Sequence, residues 1–339
     1  MQSGTTGDGA AGLPVIDVSP LIDPNADPTR CYQVGCAIDA ACRDTGFFLV
    51  TGHGIDRALR DDIERLSREF FALPEDVKAQ IAMTHGGIAW RGWFPVGAEL
   101  TSGRPDRKEG IYFGTELPPD DPRVLARTPL HGPNLFPTEP AGLATVVLQW
   151  IDAVTAVGQA VLSGIALGLS LDRDWFATHL TADPTVLFRV FHYPPGDDES
   201  WGVGEHTDYG LITLLAQDHH GGLQVRSDDK WIDVPADPYV FVVNIGDMLE
   251  RMTRGGYRSN PHRVRNLSGA DRLSFPLFLD PSWDATVTPL PETVFRDLPE
   301  DDPSRRWDGQ SVHAWDGVYG DYLTAKVAKV FPQLAAALR

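Results

Sequence analysis

His206 and Asp208 stand two residues apart in the run Gly204-Glu205-His206-Thr207-Asp208-Tyr209-Gly210, and His262 follows 54 positions after Asp208. On an extended strand, residues i and i+2 share a face. An imidazole and a carboxylate at that spacing can therefore reach one ion, the imidazole neutral and the carboxylate ionised near pH 7. A His-x-Asp pair alone is commonplace in strands. His262 changes its meaning, because two histidines and one carboxylate make up the facial triad of non-haem Fe(II) oxygenases, which leaves about three coordination positions for reactants. A structural zinc site is closed by four protein ligands instead.

Ten residues past His262 comes Arg272-Leu273-Ser274, where the same alternation sends a guanidinium and a hydroxyl to one face. A planar Arg fork beside a hydroxyl suits the far carboxylate of a co-substrate whose other end chelates the metal. Strand parity also turns Arg189, Phe191 and Tyr193 to a single side. A buried guanidinium without an anion is costly, so Arg189 either pairs with a protein carboxylate or meets a carboxylate on the substrate. Arg91, Trp93, Tyr112 and Phe113, from the Gly- and Pro-rich stretch between Gly86 and Pro137, are candidates for the pocket rim. His219 and His220 precede two glycines and read as a solvated turn. His53 in Gly52-His53-Gly54 reads as structural, and the acidic run 297–302 as a solvated loop.

These residues need elements to hold them. Periodicity predicts helices over 29–43, 56–71, 140–169 and 315–338, the third apolar enough to be buried against something large. Short strands are expected over 46–50, 90–94 and 111–114, and strands dominate 185–279. Cys31, Cys36 and Cys42 lie at spacings of five and six in one helix, on no common face, and read as buried structural thiols of a cytoplasmic protein. The balance of 29 Lys+Arg against 47 Asp+Glu gives a net charge of −18, which repels phosphate backbones and anionic lipids. No apolar run approaching the ~20 residues of a membrane span is expected, and the first twelve residues lack the basic start and apolar centre of a signal peptide. The expected partner is a small molecule, not a nucleic acid or a membrane, with a monomer as a workable state.

The series His206-x-Asp208, His262 and Arg272-x-Ser274, introduced by His192-Tyr193-Pro194-Pro195, resembles the isopenicillin N synthase-like branch of the Fe(II)/2-oxoglutarate-dependent dioxygenases. Leu13-Pro14-Val15-Ile16-Asp17 and Gly46-Phe47-Phe48-Leu49-Val50, followed by His53-Gly54, resemble that family's amino-terminal region. The resemblance implies an α+β fold with a double-stranded β-helix (jelly roll) core flanked by helices. It divides one compact unit into a disordered tail (1–12), a helical and mixed region (13–140), a long buried helix and its connection (141–182), the jelly-roll core (183–285) and a C-terminal extension with a helix (286–339).

It also implies Fe(II) on His206, Asp208 and His262, and 2-oxoglutarate on Arg272, Ser274 and Tyr193, with O2 as the other co-substrate. Phe191 departs from the pattern, since many members carry Asn there, and the near end of 2-oxoglutarate loses a polar partner. The implied reaction oxidises a small organic molecule, in secondary metabolism, with release of succinate and CO2. Hydroxylation is the expected outcome, and desaturation or cyclisation uses the same site. Three rivals are a 2-oxoglutarate-independent oxidase of the isopenicillin N synthase type, a non-catalytic binding protein, and a zinc hydrolase. The last lacks a general base beside the triad.

Overall fold

Phe47-Phe48-Leu49-Val50 and the run Phe241–Ile245 are buried along their whole length, as strands covered on both faces must be. They sit in an eight-stranded sheet with the order β1 (Val15–Asp17), β2 (Phe47–Thr51), β12 (Phe241–Ile245), β9 (Ile212–Gln217), β14 (Arg272–Ser282), β7 (Pro184–Tyr193), β6 (Glu109–Gly114) and β3 (Gly92–Phe94). A four-stranded sheet, β11 (Lys230–Asp233), β10 (Leu223–Ser227), β13 (His262–Val264) and β8 (Val203–His206), closes the other side of a cavity. β4 (Leu100–Thr101) and β5 (Arg104–Pro105) form a separate hairpin. Apart from β1 with β2, the described pairings are antiparallel. This is the expected double-stranded β-helix flanked by helices. The computed structural model describes residues 12–101, 103–195, 201–227, 230–291, 303, 306 and 309–331, so the expected tail before Gly12 and the acidic run 297–302 lie outside it.

Helices cover the outer face of the larger sheet. Pro28–Asp44 is started by Asp27, whose carboxylate accepts from the Thr29 amide at 2.9 Å, and Arg57–Phe71 by Asp56, which accepts from the Ala58 amide at 2.9 Å. The helix Leu143–Gly168 corrects one expectation: at 26 residues with a mean hydropathy of 1.5 it is long and apolar enough to cross a membrane. The structure instead packs it inside the molecule. Val147, Trp150, Val154, Val161 and Ile165 are fully buried, Trp150 stacks on Phe241 of β12, and a Cβ on Gly158 would meet Leu279 of β14 at 2.7 Å. Glycines let this helix approach Pro28–Asp44 closely. A Cβ on Gly35 would lie 2.8 Å from the Gly164 carbonyl oxygen, and one on Gly164 would lie 2.7 Å from both Ile38 and Leu21.

Other boundaries moved for local reasons. The strand expected over 90–94 begins at Gly92, because Trp90 adopts φ 50° and Gly92 φ 115°. The closing helix runs Tyr319–Val330, starting later than expected, and residues 332–339 lie outside the description. Cys31 and Cys42 are buried, but Cys36 is exposed, since its helix presents that face to solvent.

Candidate metal centre

The last residue of β8, His206, and the first of β13, His262, are direct partners across the smaller sheet, so both imidazoles project into the cavity with ring centroids 4.2 Å apart. Asp208 lies beyond the strand end, in the connection to β9, rather than on the strand itself. Its Oδ1 sits 3.8 Å from His206 Nε2 and 3.7 Å from His262 Nε2. One ligand atom from each residue falls within 4.8 Å of the others, a spacing that one ion can bridge.

Each ligand is aimed by a second contact. Asp208 Oδ2 accepts from Thr213 Oγ1 of β9 at 2.6 Å and from Asn244 Nδ2 of β12 at 2.7 Å, which leaves Oδ1 for the centre. His206 Nδ1 lies 2.8 Å from the Gly204 carbonyl oxygen and His262 Nδ1 3.5 Å from that of Asn260. A carbonyl only accepts, so Nδ1 carries the proton and the Nε2 lone pair faces Asp208. Burial, with His206 alongside, pushes His262 down to about 4, which keeps it neutral near pH 7. Burial pushes the Asp208 carboxyl up, but His262, His206 and the Asn244 and Thr213 hydrogen bonds outweigh it and hold it below the usual range. A neutral His262 and an ionised Asp208, with His206 turning its Nε2 to the same point, give the donor types that a divalent metal needs.

Further along the cavity, Arg272 of β14 is paired with Tyr193 of β7, and its guanidinium lies 4.7 Å from the Tyr193 ring centroid. Arg272 Nε donates to the Gly221 carbonyl oxygen at 3.0 Å and Nη2 to Gln217 Oε1 at 3.2 Å. Nη1 is buried and has no partner. No carboxylate among the described residues is in ion-pair contact with it; the buried acid that feels its charge, Asp218, is engaged by Arg68, His220 and the Leu273 amide. Ser274 Oγ, 3.3 Å from Tyr193 Oη, adds a hydroxyl to the same spot. The orphaned Nη1 fits the carboxylate of an acid such as 2-oxoglutarate.

Both sheets and the closing helix line the cavity, and Arg189, Phe191 and Tyr193 all face it. Of the four rim candidates only Tyr112 does. Strand pairing sets Gly92 beside Tyr112 and Trp93 beside Ile111, so Trp93 and Phe113 take the opposite face, whereas Arg91 precedes β3 and lays its guanidinium over Gly114. Phe113 stacks on Phe136 at 5.2 Å, Trp93 Nε1 donates to Glu109 at 2.8 Å, and Arg91 donates to the Leu130 carbonyl oxygen at 2.9 Å. These three form no part of the cavity wall. His220 Nδ1 lies 3.2 Å from Asp218, and His53 Nε2 lies 3.0 Å from the Tyr239 carbonyl oxygen, so both serve local structure.

Several polar residues escaped the sequence reading. Lys108 is almost wholly buried, pairs with Glu99 at 2.9 Å and with Asp106, and stands 4.8 Å from the centroid of the Phe191 ring. Glu99 also accepts from Tyr112 Oη. Asp280, pushed up to about 7 by burial, accepts from Tyr319 Oη at 2.5 Å. The available signal was a polar residue inside an apolar strand, as in Phe241-Val242-Val243-Asn244-Ile245 and Leu277-Phe278-Leu279-Asp280.

Residues 13–139 match the family profile described as the N-terminal region of non-haem dioxygenases in morphine synthesis, and residues 184–281 match that of the 2OG-Fe(II) oxygenase superfamily. A Dictyostelium discoideum protein named "Probable iron/ascorbate oxidoreductase" is 46% identical over 95% of both chains. The 1-aminocyclopropane-1-carboxylate oxidase of Dictyostelium mucoroides is 36% identical over 94% of this chain and 95% of its own. Among solved structures, a full-length Neurospora crassa protein in complex with 2-oxoglutarate and thymine superimposes with a TM-score of 0.75 at 27% identity, covering 99% of each chain. The shared fold, the histidine pair with its carboxylate and a relative of this identity leave one conclusion: the chain belongs to the 2OG-Fe(II) oxygenase superfamily, the Fe(II)- and 2-oxoglutarate-dependent dioxygenases, which use O2 to oxidise small molecules.

Proposed function

We propose that His206, Asp208 and His262 hold Fe(II), that Arg272 and Ser274, braced by Tyr193, hold the far carboxylate of 2-oxoglutarate, and that the chain falls in the isopenicillin N synthase-like branch. When bound, the metal and co-substrate activate O2 for oxidation of a substrate C–H bond, with release of succinate and CO2. The protein's own residues do the positioning. Thr213 and Asn244 orient the Asp208 carboxylate, the Gly204 and Asn260 carbonyls fix the histidine tautomers, and Gln217 with Gly221 aims the Arg272 fork. Leu323, Val327 and Phe331 of the closing segment keep bulk water from the chamber.

The observation that carries this reading is the partnerless Nη1 of Arg272 in the same cavity as an aimed two-His, one-carboxylate cluster. The test is anaerobic addition of Fe(II) and 2-oxoglutarate. A weak visible charge-transfer absorption is expected, and its absence at saturating reagents counts against chelation of 2-oxoglutarate. A 2-oxoglutarate-independent oxidase is the second reading, favoured by the names of the two Dictyostelium relatives. A cytoplasmic site of action is supported by three cysteines that form no disulfide, one of them exposed. A role in secondary metabolism is supported by the description of the N-terminal profile.

A further inference from the structure

The cavity contains a second buried guanidinium that metal and co-substrate leave unexplained. Arg189 of β7 is only 5% exposed, and its guanidinium lies 3.5 Å from the centroid of the Tyr112 ring on β6. Nη1 is shared between the Phe113 and Phe188 carbonyl oxygens, at 3.1 and 3.2 Å. No carboxylate among the described residues makes an ion pair with it. Of the nearby acids, Glu99 is engaged by Lys108 and Tyr112, and Asp280 gives Oδ2 to Tyr319 while its Oδ1 has no hydrogen-bond partner; neither is in ion-pair contact with Arg189. Arg91, the next cation, makes the imbalance larger: it too is buried and in contact with no described carboxylate, and burial with Arg189 close by pushes it down to about 9. Lys108, by contrast, has two carboxylates to itself. A cation taken out of water without a counter-ion costs several kcal/mol, and an anion arriving in the cavity would relieve that cost.

Besides Glu99, Lys108 and Asp280, the chamber offers an apolar wall, with Leu187 and Phe191 on β7, Phe278 on β14, and Leu323, Val327 and Phe331 of the closing segment. We infer that the primary substrate is a small organic acid whose carboxylate docks on Arg189 while its apolar body lies against these side chains beside the metal centre. This rests on the proposed function and deepens it by naming the substrate class. The competing account is a brace, in which Arg189 merely stacks on Tyr112 to tie β6 to β7.

The two accounts separate on the full-length protein loaded anaerobically with Fe(II) and 2-oxoglutarate. Phenylacetate, 3-phenylpropanoate and 4-phenylbutanoate are titrated by calorimetry, each against its own primary amide, while the visible absorption of the 2-oxoglutarate complex is followed. At least one acid is expected to bind about tenfold or more tighter than its amide without bleaching that absorption. Arg189→Gln should erase the acid-over-amide ratio, and Arg189→Lys should restore part of it. The inference is overturned if no acid outbinds its amide, whether both bind or neither does, or if the ratio survives in Arg189→Gln. The acid-to-amide ratio of the parent protein needs no variant, so a variant that fails to fold cannot shield the inference. If the absorption never forms in the parent, the proposed function fails; if it forms and the ratio is absent, only the substrate class fails.

Discussion

Arg272 and Arg189 are both buried guanidiniums lying against a tyrosine ring in one cavity, yet they are held by different means. Arg272 is fixed by the Gln217 side chain and the Gly221 carbonyl oxygen, with the hydroxyls of Ser274 and Tyr193 beside it. Arg189 is held by the Phe113 and Phe188 carbonyl oxygens and by the rings of Tyr112 and, farther off, Phe278. On the proposed reading the first end takes one unchanging carboxylate. The second can be retuned by altering the apolar side chains around it without disturbing the backbone acceptors, as a site for a variable substrate requires.

The comparison presupposes a metal in the same cavity, and the largest effect comes from removing it. Asp208→Ala deletes the carboxylate that both imidazoles face, and turnover should fall below detection. Activity surviving in this variant, measured as O2 uptake with added Fe(II), would remove the metal assignment. Next comes Arg272→Leu, which breaks the co-substrate end alone. Loss of a desolvated charge pair should raise the 2-oxoglutarate requirement by roughly 30- to 1,000-fold. The Fe(II) requirement should move far less, and steady-state titrations showing equal shifts for both would undercut the clamp. Asn244→Ala sharpens the boundary between ends by loosening only the aim of Asp208. Metal affinity should drop by about 10- to 100-fold, read by competition with a chelator, with 2-oxoglutarate binding to the loaded protein little changed.

The smallest effect lies outside the cavity. Gly164→Val places a side chain where Ile38 and Leu21 already stand, which should cost about 1–3 kcal/mol and lower Tm by several degrees. Turnover per folded molecule should stay as it is, and a selective loss of activity would show that the helical shell reaches further into the site than its packing indicates.

That His206, Asp208 and His262 come together, with Arg272 and Ser274 in the same cavity, was legible from residue types and their order, although Asp208 reaches the cluster from beyond the end of β8 and not by strand alternation. The pairing of His206 with His262 was not, since cross-strand register lies in the geometry of two sheets and not in the order of residues. Parity worked for Arg189, Phe191 and Tyr193, which share one strand with a known inward face. Arg91, Trp93, Tyr112 and Phe113 were candidates only as members of a Gly- and Pro-rich stretch, and Tyr112 alone lines the cavity, because nothing in the sequence said which face of β6 looked inward. Lys108, Glu99 and Asp106 went unnoticed for a related reason: their mutual neutralisation depends on a hairpin that brings 99 to 108 together in space. Leu143–Gly168 was legible as a buried helix from its apolar composition, but the same length and composition also permit a membrane span, and its packing on β12 and β14 settles its place in the core.

The central claim is that the Arg272 end takes 2-oxoglutarate and consumes it. Its most direct measurement is succinate formed per O2 consumed, by the Fe(II)-loaded protein supplied with 2-oxoglutarate. One succinate per O2, lost together with O2 uptake in Arg272→Leu, is the predicted result. O2 uptake that proceeds at the same rate without 2-oxoglutarate and yields no succinate would contradict it and establish the oxidase reading instead.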